Sequence, residues 1–146
     1  MLADIIYRIH CSEKDLKTII EESFKDTLKA WDTAFIKDFQ LLIEDTFDMA
    51  ENNPNETNAI HYLGEGWIGD EALAIAIYSV LRHPDDIKKA LRCAVNHRGD
   101  SDSTGAIAGN ILGAYLGYDA LPKDWLEKLE LVDVISDMAS ELAKVV

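Results

Sequence analysis

Four glycines stand at every fourth position of one apolar run, Gly105, Gly109, Gly113 and Gly117 in TGAIAGNILGAYLG. The interval is close to the helical repeat of about 3.6 residues, so the glycines form one slowly drifting seam on a helix spanning roughly 104–117. Each glycine inside a helix costs about 1 kcal/mol against alanine. Such a seam is therefore expected only where a neighbouring helix, or a ligand, approaches a face without side chains. Ala106, Ile107, Ala108, Ile111, Leu112 and Ala114 make most of the remaining circumference apolar, which predicts a buried helix. Membrane helices also carry small-residue seams, but this run is shorter than the roughly 18 apolar residues a span needs.

Helical periodicity extends over nearly the whole chain. Ser12 and Asp15 resemble a helix start, after which Leu16, Ile19, Ile20, Phe24, Leu28 and Trp31 trace one face. Phe35, Phe39, Leu42, Ile43, Phe47 and Ala50 trace the next, and NNPNETN at 52–58 is the clearest loop. A short segment leads to Leu63, and GEGWIGDE then breaks regular structure with three glycines. DEALAIAIYSVLR, from Asp70, is apolar on most of its circumference and is expected at the centre of the core. Pro84 is expected to open a helix, with Asp85 and Asp86 at its positive end and Ile87, Ala90, Leu91, Ala94 and Val95 as its buried stripe. Pro122 begins a turn around Trp125, and Leu131, Ile135, Met138, Leu142 and Val145 end the chain as an amphipathic helix. No alternating strand, repeat or low-complexity tract is evident. The expectation is one all-α domain over residues 1–146, with six to eight helices.

The 146 residues suit one hydrophobic core. With 27 acidic against 14 basic residues, the formal charge of −13 argues against nucleic acid and anionic membranes as partners. MLADIIYRIHCSEKD has no basic leader before an apolar core, so no signal peptide is expected and cytoplasmic residence is the expectation. Cys11 and Cys93 sit in unrelated contexts and read as buried or half-buried thiols; no Cys/His cluster suggests zinc. His10, His61 and His83 read as surface or packing histidines.

Immediately before the glycine seam, Asp100 and Asp102 alternate with Ser101, and Ser103 and Thr104 follow. At the mouth of a buried helix, two carboxylates so close repel one another and lose hydration unless paired or metal-bound. Mg²⁺, Mn²⁺ and Ca²⁺ take carboxylate and hydroxyl oxygens of this kind. The plainer alternative is that Asp102 or Ser103 caps the helix while Asp100 makes a turn. Spacing alone leaves both open.

The longer phrase AVNHRGDSDSTGAIAGNILGAYLG, Ala94 to Gly117, resembles the C-terminal signature of the ADP-ribosylglycohydrolase family. LGEGWIGDEALAIAIYSVLR, Leu63 to Arg82, is similar to the segment preceding that signature, and the likeness continues through LPKDWLEKLE at Leu121 to Glu130. The resemblance is thus strongest over 63–130. The first 60 residues resemble the family only in being helical. The resemblance implies the C-terminal half of an all-helical fold that carries a Mg²⁺ (or Mn²⁺) centre and hydrolyses glycosidic bonds to ADP-ribose. It implies Asp100, Asp102 and Ser103 as metal ligands. It also implies Gly64, Gly66 and Trp67 near an ADP-ribose pocket, the glycines for close backbone approach and Trp67 as a stacking face.

The family's N-terminal ligand cluster, a hydroxyl residue followed by two aspartates and a threonine, has no counterpart in this sequence. HPDDI at 83–87 holds the only Asp-Asp pair and reads as a solvated helix N-terminus. One reading is a truncated or split hydrolase, inactive alone, that binds metal weakly and requires a complementary N-terminal half. A second is a pseudoenzyme, a helical binding module recognising an ADP-ribosylated protein or an ADP-ribosyltransferase. A third is a helical interaction module whose acidic loop only caps a helix. The seam and the helix at 70–82 are expected to leave an apolar face that favours a homo-oligomer.

Overall fold

The computed structural model describes residues 1–53 and 55–144, and among these the regular structure is entirely helical. In chain order the helices are α1 (Leu2–Cys11), α2 (Leu16–Ala30), α3 (Ile36–Asn52), α4 (Glu56–Leu63), α5 (Gly69–Arg82), α6 (Ile87–Val95), α7 (Ser101–Leu116), α8 (Lys123–Leu126) and α9 (Val132–Leu142), with a 3-10 turn at Tyr118–Ala120 between α7 and α8. This all-α fold holds nine α-helices among the described residues, more than the six to eight expected. The surplus comes from α1, whose Ile5 is fully buried, and from the single-turn α8.

Side-chain caps set several of the starts. The Asp15 carboxylate accepts the Thr18 N–H at 3.0 Å, Asn55 accepts from Asn58 at 3.1 Å, and Asp86 accepts from Lys89 at 3.0 Å. Each satisfies a first-turn amide that the helix itself leaves open. Ser12, expected to help start α2, instead follows the end of α1. Pro84 lies in the turn before α6 and is not its first residue, because Asp86 in extended conformation takes the capping role.

The core forms around α5, in which every residue from Ala72 to Val80 is buried. It packs chiefly against α3, α7 and α6. Ala72, Ala74 and Ala76 let neighbouring backbones approach, while Ile75, Ile77, Tyr78 and Val80 fill the space between them. A fully buried aliphatic side chain of this size contributes about 1.5–3 kcal/mol of transfer free energy. The helix expected to need a partner outside the chain is thus enclosed within it.

The glycine seam is used only in part. A Cβ on Gly105 would lie 2.7 Å from Val95 Cγ1, and one on Gly109 would lie 3.7 Å from Leu91 Cδ2. The first half of the seam therefore admits α6 at close range. Gly113 and Gly117 face nothing within 4 Å.

Apolar side chains are exposed elsewhere. Trp31, Phe35 and Ile68 stand in the open, beside a groove of about 350 Å³ lined by Met1, Trp31, Phe35, Phe39 and Leu73. The C-terminal expectation is met in part: α9 is a helix, but Leu131, Ile135, Met138 and Leu142 remain exposed. Val145 lies outside the described residues. Trp125 is also exposed and carries the Lys88 ammonium 5.4 Å from its ring centre.

Candidate functional site

Two loops meet at the start of α7. Asp100 donates its N–H to the carbonyl of Glu65 at 2.8 Å, joining the 96–100 loop to the glycine-rich segment before α5. Gly99 permits this approach, since a Cβ there would lie 1.7 Å from the Glu65 carbonyl oxygen. Gly66, at φ +78°, is buried against the same loop; its Cβ would meet Thr104 Cγ2 at 2.9 Å and the Asp100 carbonyl at 3.4 Å. The sharp turn at 64–66 is pinned by Glu71, one carboxylate oxygen of which accepts the Glu65 N–H at 3.1 Å and the Gly66 N–H at 3.0 Å.

A second set of bonds fixes the loop from beneath. Buried Thr104 donates its hydroxyl to the Ala94 carbonyl at 2.7 Å and lies 3.1 Å from His97 Nε2. The Gly99 N–H donates to His97 Nδ1 at 3.1 Å. Nδ1 is then the acceptor nitrogen, so Nε2 carries the proton and donates to Thr104. Ser101 adds a bond to the Val95 carbonyl at 3.0 Å.

At the surface of this scaffold, Asp100 is the cap of α7, and its Oδ1 accepts the Ser103 N–H at 3.3 Å. That differs from both sequence expectations, which began the helix at 103–104 or capped it with Asp102 or Ser103. The helix starts at Ser101, which puts Asp102 in its first turn, exposed, with Ser103 half-buried beside it. The Asp100 carboxyl is held below the usual carboxylate range. A hydrogen bond shared with the Asp102 carboxyl is the largest cause, followed by the Ser103 hydroxyl and amide.

Of the sequence-derived residues, the fold thus gathers Asp100, Asp102, Ser103 and Gly66 at one place. Gly64, at φ +125°, faces the Glu71 side chain instead. Trp67 is not a core tryptophan: it is 67% exposed, and its Nε1 donates to a Glu65 carboxylate oxygen at 3.2 Å. A groove of about 610 Å³ opens on the other side of the loop junction, lined by Gly64, Glu65, His61, His97 and Arg98 among others. Asp100, Asp102, Ser103 and Trp67 are not among its lining residues. Glu71 and His97, which help hold the site together, were not singled out by sequence, and Thr104 was read only as part of the helix start. Their partners come from other turns of the fold, and only the lone Glu71 after GEGWIGD offers a local signal.

Comparison with known proteins decides the ancestry of this arrangement. A family profile described as ADP-ribosylglycohydrolase matches residues 1–146. The chain belongs to the ADP-ribosylglycohydrolase family. The match includes the first 60 residues, where sequence resemblance alone offered only helicity. Among curated relatives, the ADP-ribosylarginine hydrolase Tri1 of Serratia proteamaculans is 38% identical over 72 residues, 49% of this chain and 19% of its own length. The ADP-ribosyl-[dinitrogen reductase] glycohydrolase of Rhodospirillum rubrum is 47% identical over 47 residues, 32% of this chain and 16% of its own. The human ADP-ribosylhydrolase ARH3 is 31% identical over 93 residues, 57% of this chain and 26% of its own. The aligned segments thus cover a minority of each relative. No solved structure matches this chain. Among the described residues, no helix is long and apolar enough to cross a membrane.

Proposed function

We propose that this ADP-ribosylglycohydrolase chain supplies one side of a divalent-cation site for hydrolysis of ADP-ribosyl glycosidic bonds, and that the chain alone does not turn substrate over. The observation that carries this reading is the meeting of the Asp100 and Asp102 carboxyls, with Ser103, above the Asp100–Glu65 junction. The donor set fits a hard cation such as Mg²⁺ or Mn²⁺: two carboxylates and a hydroxyl, all oxygen. When bound, such a cation would orient substrate hydroxyls and activate a water.

Within the chain, Asp100 has one oxygen committed to the Ser103 amide. Asp102 is exposed in the first turn of α7, and Gly66 lets the glycine-rich turn lie directly against the ligand loop. Trp67, exposed beside that turn, offers an aromatic face to an adenine or ribose. Three ligands from one loop hold a cation weakly, with water completing its shell. Among the described residues, the one group of three His, Cys, Asp or Glu ligand atoms lies elsewhere. The exposed Trp31, Phe35 and Ile68, together with the unpacked face of α9, support association with a complementary chain or a second copy.

The test is hydrolysis of an ADP-ribosyl-arginine substrate in Mg²⁺ by the purified chain. The expected result is no turnover; appreciable metal-dependent turnover would overturn the proposal.

A further inference from the structure

Glu56, His83 and Cys93 come from three different elements and meet at one end of the fold. Glu56 is the first residue of α4, His83 directly follows α5, and Cys93 lies on the inner face of α6. Sequence spacing gave no hint of the group, and the reading of His83 as an isolated packing histidine is incomplete. A carboxylate oxygen, a ring nitrogen and the sulfur all lie within 4.8 Å of one another. Glu56 Oε1 is 2.7 Å from His83 Nε2. The three side chains line a cavity of about 240 Å³ that also reaches Arg92 and Asn96, leaving room for water beside the cluster.

We propose that Glu56, His83 and Cys93 form a second metal site, separate from the Asp100 loop, for a borderline-soft divalent cation of the Zn²⁺ class. One sulfur, one nitrogen and one oxygen ligand suit Zn²⁺, and three protein ligands leave a fourth tetrahedral position for a water in the cavity. A thiolate ligand disfavours Mg²⁺ and Ca²⁺. Tetrahedral bonds of about 2.0–2.3 Å put the donor atoms roughly 3.3–3.7 Å apart, so the 2.7 Å Glu56–His83 pair must open slightly within a group that spans no more than 4.8 Å. On binding, the Cys93 thiol gives up its proton to solvent as the metal–sulfur bond forms. His83, whose Nε2–H donates to Glu56, moves that proton to Nδ1, so that the bare Nε2 and the freed Glu56 oxygen both take the metal. The thiolate and the carboxylate then balance both charges of the cation, which offsets the repulsion from the nearby Arg82, Lys89 and Arg92. The buried Cys93 thiol is otherwise costly to ionise, its pKa being pushed up to about 11 by burial. Metal coordination is what would ionise it near neutral pH.

The test uses the full chain carrying Cys11→Ser, which removes the exposed thiol, titrated with Co²⁺ and then Zn²⁺. The expected result is a near-ultraviolet sulfur-to-cobalt charge-transfer band saturating at one equivalent, abolished by Zn²⁺ and unaffected by a large excess of Mg²⁺. The band reads sulfur ligation in a chain whose cluster is intact, so it does not depend on a variant folding. Adding Cys93→Ser should eliminate the band, and His83→Gln should weaken Zn²⁺ by at least the ~10–100-fold that loss of an outer-shell partner costs. Asp102→Ala should leave the band unchanged. Absence of a charge-transfer band, or a band that survives Cys93→Ser, would overturn the proposal.

Discussion

Asp100 and Glu65 share a single backbone hydrogen bond of 2.8 Å, and through it the loop that caps α7 is carried by the glycine-rich turn before α5. The carboxyls of Asp100 and Asp102 owe their position to this junction, which depends on two residues without side chains. Gly99 tolerates no Cβ against the Glu65 carbonyl, and Gly66 holds a left-handed φ while pressed on Thr104.

Gly66→Ala and Gly99→Ala are therefore expected to destabilise the chain by about 1–3 kcal/mol each. Gly69→Ala serves as a control, because a Cβ there meets nothing within 4 Å. Urea unfolding measures all three. Equal midpoints for Gly66→Ala, Gly99→Ala and Gly69→Ala would show that the junction is not under steric constraint.

Asp100 and Asp102 should separate by role. Asp100→Ala removes a helix cap and is expected to cost about 0.5–2 kcal/mol. Asp100→Asn, which keeps an acceptor at the same place, should restore most of that loss. Asp102→Ala removes an exposed carboxylate that caps nothing and should stay within about 0.5 kcal/mol of the parent. Thermal melts distinguish the three; a larger loss for Asp102→Ala than for Asp100→Ala would reverse the assignment.

Acid should weaken the fold through its capping and paired carboxylates. Hydrogen bonds hold Asp15 and Asp86 below their ordinary value of 3.8: the Thr18 hydroxyl for Asp15 and the Lys89 amide for Asp86. A carboxyl whose pKa is lower folded than unfolded contributes its stability above the unfolded value and loses it as pH falls through the folded one. Tm should thus be nearly flat above about pH 5 and decline below about pH 4. A Tm that rises on acidification through that window would contradict the sign of these shifts.

The two thiols should differ sharply in reactivity. Cys11 is exposed, contrary to the buried or half-buried setting expected from sequence, whereas Cys93 is buried, and burial pushes its thiol up to about 11. Mass spectrometry after brief alkylation near pH 8 should find Cys11 modified and Cys93 intact. Equal labelling of both in the native chain would show that α6 does not protect Cys93.

Much of this architecture is legible in the sequence because it is local. The apolar circumference of DEALAIAIYSVLR announces α5, and Asp15 and Asn55 stand where caps belong. The glycine interval marks the α6–α7 approach at Gly105, but it does not say that Gly113 and Gly117 remain open, since that depends on where α6 begins. The first helix was not anticipated, although Leu2, Ile5 and Ile9 lie at helical spacing; Ile5 is buried by long-range packing within the main core. The supports of the candidate site are less visible still. Glu71 reaches back to the 65–66 amides and His97 turns onto Thr104, while Glu56, His83 and Cys93 are brought together only when α4, α5 and α6 pack. Spacing does not encode contacts of that kind.

The exposed apolar residues give a further expectation. Trp31, Phe35 and Ile68, with Met138 and Leu142 on α9, should promote self-association. Sedimentation velocity over increasing concentration should reveal species larger than a monomer. A clean monomer at high concentration would refute homo-oligomer formation.

Calorimetric titration of Mn²⁺ or Mg²⁺ into the parent chain and into Asp102→Ala decides whether Asp100, Asp102 and Ser103 hold a hard divalent cation. The expected result is weak, saturable binding by the parent that Asp102→Ala loses while its melting behaviour is retained. Identical titrations for the two chains would contradict it and leave the acidic loop as a helix cap alone.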